Sequence, residues 1–291
     1  MGDDDCDERG RWRGPEGPGI GLCLGVLPLV SVYDIRCGVT GRDYGPAGAP
    51  AAYQVILGRT GGYLRRLNGV ETFADATSAL VTAPGDEIQV AHPVGTGDTY
   101  TVVQWDGDVE VRLPPGELRV GDAADLAHRA LVAECRRGID GFELADRIEG
   151  LMLALLPGSP DGPTAARPAT RNAHRKLVGR AVATLLSDGY HLSLDGLAAE
   201  VSASAPHLSR VFREVTGEGL TAYRNRLRVR AVLDDLAEGA TNLRTLAARY
   251  GFADQSHLNR VMRRHLGRAP SDLQQVVRAP ALQPQADADR P

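Results

Sequence analysis

The chain has 291 residues, 43% of them hydrophobic, which is enough to bury more than one core, and its formal net charge is −4. Its four cysteines show no CxxC spacing, and no apolar run reaches the roughly 20 residues that a bilayer requires. A disulfide framework and a membrane-spanning protein are therefore not expected, and a cytoplasmic protein with reduced thiols is.

In chain order, residues 1–19, "MGDDDCDERGRWRGPEGPG", combine charge with Gly and Pro and are expected to form a disordered tail. The apolar run over 20–32 has the look of a secretory core, but an acidic, Gly-rich stretch precedes it, so a targeting role is not expected. From about 29 to 120 the apolar clusters are short and divided by Gly-Gly, Asn-Gly and Asp-Gly turns, the pattern of a small barrel or sandwich. At about 121 the period changes. Leu126, Ala130, Leu131 and Ala133 share one helical face, and Leu144, Ile148, Leu151, Met152 and Leu155 share another, which predicts a helical hairpin. Leu151, Met152 and Leu155 are expected to form a dimer contact beside a barrel too small to cover them.

Residues 157–171 are rich in Pro, Ala, Thr and Gly without periodicity and are expected to be a linker. The domains predicted are thus 20–156, the linker, 172–275 and a second tail over 276–291. The charge divides the same way. Residues 171–280 hold 17 basic and 10 acidic side chains, whereas residues 1–170 hold 15 and 25. One domain is built to meet a polyanion and the other is not.

Beyond the linker one pattern occurs twice. "HLSRVFREVTG" at 207–217 and "HLNRVMRRHLG" at 257–267 agree at six of eleven positions. Each follows a short apolar stripe, Leu194, Leu197, Ala198 and Val201 in one copy and Leu243, Leu246, Ala247 and Tyr250 in the other. Ser193, Ser204 and Asp254 are placed to cap helices, and the second turn is one residue longer than the first. Leu208, Val211, Phe212 and Val215 are expected to be buried in the first long helix, and Leu258, Val261 and Met262 in the second. That leaves Pro206, Ser209, Arg210 and Arg213 facing outward in one copy and Gln255, Ser256, Asn259, Arg260 and Arg263 in the other. About fifteen helical residues between the copies, roughly 22 Å, make a rigid spacer. Two short helices joined by a tight turn, with polar and basic residues opening the second, form a helix-turn-helix. Such a helix fits a DNA major groove, where Arg pairs with guanine and Asn or Gln with adenine.

"LAAEVSASAPHLSRVFREVTG" and "GFADQSHLNRVMRRHLGRAP" resemble the double helix-turn-helix domain of AraC-type (AraC/XylS) transcriptional regulators, over about 172–275. The resemblance implies base-facing roles for Pro206, Ser209 and Arg210 in the first reading helix and for Gln255, Ser256, His257, Asn259 and Arg260 in the second. It implies double-stranded DNA at promoter half-sites, a homodimer, RNA polymerase and a small-molecule effector as partners. Gly219-Leu220 and Met262 depart from the family's usual residues at positions read as packing.

The motif "PGDEIQVAHP" over 84–93 makes the N-terminal half similar to the cupin-type effector domain of such regulators. The fold expected is therefore α+β: a cupin-like β-barrel with a helical hairpin, a linker and an all-α double helix-turn-helix domain. His92 is the sole histidine before His128, so no metal site or other cofactor is expected, and His92 is read as structural. Tyr53, Tyr63, Arg65 and Gln89 are candidates to line an effector pocket. Alternatives are a regulator without a ligand, an alkyl-transferring repair protein using a cysteine and a sugar-modifying cupin. No cysteine stands in a Pro-Cys-His-Arg context and no His cluster or carboxylate pair is visible, so no catalytic residue is assigned and no enzyme is expected.

Overall fold

The computed structural model describes residues 11–12, 19–95, 97–107, 113–156, 168–188 and 190–278. Much of the expected N-terminal tail, all but residues 276–278 of the C-terminal one, and linker residues 157–167 lie outside these.

The N-terminal half contains two antiparallel sheets. The larger runs β1 (Arg11–Trp12), β2 (Gly19–Leu27), β3 (Val30–Cys37), β9 (Asp98–Trp105), β4 (Tyr53–Thr60), β7 (Ser78–Thr82) and β10 (Gly116–Arg119). The smaller runs β6 (Val70–Asp75), β5 (Gly62–Leu67) and β8 (Ile88–Ala91). The Asn-Gly signal is a two-residue hairpin turn, with Asn68 at φ 48° and Gly69 at φ 81° between paired Leu67 and Val70. The apolar run over 20–32 belongs to the β2–β3 hairpin.

Alternation sorts the large sheet's side chains into two cores. Tyr33, Ile35, Ile56 and Val102 belong to an inner cluster with Leu80, Ile88 and Tyr100. Val32, Val55, Leu57 and Val103 point the other way, onto α1 (Asp122–Arg137) and α2 (Gly141–Leu155). These two sheets and the helix pair are the small barrel or sandwich and the helical hairpin that the sequence predicts. Asp140 caps α2 by accepting from the backbone N–H groups of Phe142 and Glu143.

The hairpin corrects the expected dimer contact. Leu151 and Leu155 are buried with Leu131, Leu144 and Ile148 in the barrel's own core, and Met152 packs against them. The large sheet's outer face supplies the partner that the apolar stripe needed. Phe142 and Leu153 on the opposite side of α2, and Leu156 just past its end, are exposed.

The C-terminal half is helical: α3 (Pro168–Ser187), α4 (Leu194–Glu200), α5 (Ala205–Thr216), α6 (Leu220–Ala237), α7 (Leu243–Arg249), α8 (Gln255–Leu266) and α9 (Pro270–Val277). The expected spacer is α6, 18 residues long, about 27 Å. It divides the domain into two cores. Leu185, Leu197, Leu208 and Phe212 pack on its first half, and Leu246, Leu258, Met262 and Leu273 on its second. Fully burying each such side chain contributes on the order of 1.5–3 kcal/mol.

Helix α6 also docks on the barrel. Arg230, 1% exposed, donates to the backbone oxygens of Ala76 and Val120, the latter at 2.5 Å. The Tyr223 hydroxyl lies 2.8 Å from that of Thr77. Asp234 stands 3.3 Å from Arg129 and 3.7 Å from Arg59, and Glu238 2.5 Å from Arg36. Arg59 and Arg136 both pair with buried Asp34, whose carboxyl group lies below its usual range: burial opposes the shift, and the two guanidinium groups outweigh it. The spacer is thus a ligand of the barrel as well as the link between the two helix pairs.

Candidate nucleic-acid interface

Both helix pairs are built by the same local rules. Ser193 and Asn242 cap α4 and α7 through side-chain oxygens that accept from Gly196 N–H and Thr245 N–H. Ser204 and Asp254 cap α5 and α8 by accepting from His207 N–H at 3.4 Å and His257 N–H at 2.6 Å. Gly217 and Gly267 end the long helices at φ 71° and φ 68°, in the left-handed conformation that glycine adopts at least cost. The turn between the short and long helix covers 201–204 in the first copy and 250–254 in the second, the extra residue that the spacing requires.

The buried and exposed sets follow the helical period. Leu208, Val211 and Phe212 are buried in α5, and Leu258, Val261 and Met262 in α8. Pro206, Ser209, Arg210 and Arg213 are exposed on α5, and Gln255, Ser256, Arg260, Arg263 and Arg264 on α8. Among the described residues, none of these arginines pairs with a carboxylate. Arg210 is steadied by His207, whose Nδ1 lies 3.1 Å from its guanidinium.

Two of the candidate residues sit differently from the rest. The His257 ring packs edge-on against Phe252, with centroids 5.6 Å apart, and its Nδ1 accepts from Ala253 N–H at 3.3 Å. Its side chain fixes the turn that aims α8. Asn259 is half-buried, and its Oδ1 has no partner among the described residues. An amide in that state is held ready for an outside donor, because an unpaired buried acceptor is costly.

Sequence reasoning missed the joint between the two copies. Arg228, expected only as part of the basic surplus, is buried. It donates to the Tyr190 backbone oxygen and lies over the Phe252 ring, 5.5 Å from its centroid. Tyr190 and Tyr250 meet across the same joint with centroids 6.2 Å apart. Burial and neighbouring Arg224 lower the Arg228 pKa to about 10, which keeps it charged at neutral pH. Gly251, at φ 69°, is where the chain passes closest, since a Cβ there would stand 2.8 Å from the Arg228 guanidinium. The signal was present in the row of arginines at every second residue from Arg224 to Arg230, but their partners lie in distant segments. The +7 balance of the domain therefore overstates what is free for phosphate: Arg226, Arg228 and Arg230 are used internally, and Arg249 pairs with Asp235 at 2.9 Å.

In the barrel a narrow cavity is lined by Ile56, Tyr63, Arg65, Leu80, Ile88, Val90, Asp98 and Tyr100. Tyr63 and Arg65 are thus brought together as expected. Tyr53 and Gln89 are not: Tyr53 stacks on Trp105 at 6.2 Å, and Gln89 pairs with Arg66 at 3.3 Å. Alternation places both away from the cavity. Burial raises the Cys135 thiol to about 11, which keeps it protonated.

Residues 197–275 match a family described as a helix-turn-helix domain. No curated protein matches the chain. Similar solved structures include an AraC-type DNA-binding-domain regulator from Chromobacterium violaceum, at 21% identity over 38% of this chain and 97% of that one, with a TM-score of 0.34. Another is the DNA-binding domain of AdpA in complex with a target DNA, at 25% identity over 34% and 89%, with a TM-score of 0.32. Fatty-acid-bound ToxT from Vibrio cholerae aligns over 84% of this chain and 94% of its own, at 12% identity and a TM-score of 0.32. Among the described residues, no helix is long and apolar enough to cross a membrane.

Proposed function

We infer that this chain, which carries a helix-turn-helix domain over 197–275, is an AraC-type DNA-binding transcriptional regulator that reads a bipartite site in double-stranded DNA and answers to a small molecule held in its barrel. The observation that carries the reading is the pair of exposed arginine-bearing helices, α5 and α8, mounted by equivalent caps and buried stripes on one spacer. One helix covers only a few base pairs, and two reach successive major-groove segments on one face of the duplex, about 34 Å apart. Arg210, Ser209, Gln255, Asn259 and Arg260 are the proposed base readers, with Pro206, Ser256 and Arg213 alongside them at the DNA.

The barrel's part follows from where it grips. The turn over 75–77 links β6 to β7, and it holds Tyr223 and Arg230 of the spacer. Leu80 of β7 lines the cavity, so a ligand that widens the cavity displaces the strand from which α6 hangs. Such a ligand shifts the DNA-binding domain only as far as its affinity differs between the docked and released forms. A homodimer, placing two such domains at promoter half-sites and before RNA polymerase, belongs to the same reading. Its contact is the exposed side of α2 with Phe142, Leu153 and Leu156.

Selection of bound sequences from a random duplex library by the full chain tests the reading. Enrichment of two short boxes about one helical turn apart is expected, and no enrichment over input would count against sequence-specific binding.

A further inference from the structure

We propose that Cys37, His92 and Asp98 form a binding site for a divalent transition-metal ion of zinc's class, at one end of the barrel. Counting histidines suggested no metal site, since His92 stands alone in that half of the chain. The structure supplies the other two donors.

The three residues come from three strand ends. Cys37 closes β3, Asp98 opens β9, and the two are paired in register across the large sheet. His92 follows β8 of the small sheet, tied down where its N–H donates to Gly41 O at 2.7 Å. The approach is tight: Gly97 takes φ 69°, and a Cβ there would stand 2.8 Å from the Cys37 carbonyl oxygen. The site therefore lies where the two sheets close on each other.

Its dimensions fit a metal. His92 Nε2 lies 3.6 Å from Cys37 Sγ and 3.1 Å from Asp98 Oδ1, and all three donor atoms fall within 4.8 Å of one another. A tetrahedral zinc ion with Zn–S of about 2.3 Å and Zn–N or Zn–O of about 2.0–2.1 Å sets its ligands roughly 3.3–3.6 Å apart. Little movement is needed to admit the ion. One thiolate, one imidazole and one carboxylate suit zinc or cobalt rather than calcium or magnesium, which take oxygen alone.

These donor atoms contact one another. His92 and Asp98 are buried, and Asp98 Oδ1 has no partner among the described residues beyond the facing imidazole. His92 Nδ1 is buried without a partner, so coordination at Nε2 would fix the ring's tautomer. Three protein ligands leave a fourth position for water or an exogenous donor. Asp98 also lines the barrel cavity beside Tyr63 and Arg65, so the ion would sit at the edge of the space assigned to the effector.

Cobalt(II) titration of the full chain, after treatment with a chelator, tests the site. One equivalent should bind with a thiolate-to-cobalt charge-transfer band. That band should vanish in Cys37→Ser. His92→Gln and Asp98→Asn should weaken binding by more than about tenfold, since even outer-shell partners of metal ligands are worth 10–100-fold. Absence of the band in the wild-type chain, or its survival at unchanged affinity in His92→Gln and Asp98→Asn, would overturn the proposal. Should those variants fail to fold, the wild-type chain still decides. One equivalent of zinc should protect Cys37 from alkylation, read by peptide mass, while labelling of Cys23 and Cys135 is unchanged. Unprotected Cys37 would mean that the three residues form only a hydrogen-bonded ion pair.

Discussion

The hydroxyl of Tyr223, on the helix that joins the two reading units, donates to the Asp75 carboxylate of the barrel at 2.6 Å, and both residues are buried. Burial first, and the Asp75 charge second, push the tyrosine far above its ordinary pKa, so it remains a donor at any working pH. Asp75 keeps two other donors, the N–H and hydroxyl of Thr77, each at 2.7 Å. Tyr223→Phe should therefore cost about 1.5 kcal/mol, the low end for a hydrogen bond to a charged group. Denaturant unfolding of the two proteins checks this. An unchanged stability would show that the bond does not hold the domains together.

His128 should make stability depend on pH. The ring is fully buried on α1, neither nitrogen has a partner among the described residues, and its pKa lies well below the ordinary value, through burial first and then the charges of Arg59, Arg129 and Arg230. The unfolded chain thus binds a proton below about pH 6.5 that the folded chain refuses. Stability should fall as pH drops from 6.5, by up to about 1.4 kcal/mol per unit. His128→Leu should flatten the profile between pH 7 and 5. A slope equal to the wild type's would show that other groups carry it.

Ser202 and Gly251 occupy matching turn positions, at φ 55° and φ 69°. An L residue in the left-handed region costs about 1–2 kcal/mol, partly offset in Ser202→Gly by the freer unfolded chain. A gain of about 0.5–1 kcal/mol in thermal unfolding is expected from that substitution. Gly251→Ala should lose stability, because the added methyl also meets the Arg228 guanidinium.

The proposed dimer contact is checked by two variants. Phe142, 88% exposed, and Leu153 lie on one side of α2. Phe142→Glu with Leu153→Glu should give a folded monomer in light scattering. Leu151→Glu should instead unfold the barrel, since Leu151 is in its core. A dimer that survives the first pair would place the contact elsewhere.

What the sequence made legible was what local chemistry writes. The caps at Ser193, Ser204 and Asp254, the buried stripe of Leu208, Val211 and Phe212, the Asn-Gly hairpin and the one-residue difference between the turns all depend on residues within one or two turns of each other. Contacts between distant segments were not legible. Leu151 and Leu155 read as an open face because the sheet that covers them is assembled from strands scattered over 19–119. The arginines of α6 read as surface charge because Asp122 and Ala76 meet them only after the domains dock, and Tyr190 only when the two helix pairs pack together on α6. The outward set on α5 and α8 was legible except at Asn259, which is half-buried, and His257, given a base-facing role by the resemblance alone, turns its ring against Phe252.

The central claim is that both α5 and α8 read DNA, with α8 the more discriminating because it offers Gln255, Asn259 and Arg260 where α5 offers Pro206, Ser209 and Arg210. The most direct test measures binding of wild type, Arg260→Ala and Arg210→Ala across a library in which each box is randomised. Arg260→Ala should cost about 1–3 kcal/mol at its cognate box and flatten the preference there, while Arg210→Ala should weaken related sites more uniformly. Loss of preference in the Arg210 variant alone would reverse the assignment of the two helices, and unchanged affinity and preference in both variants would contradict the claim itself.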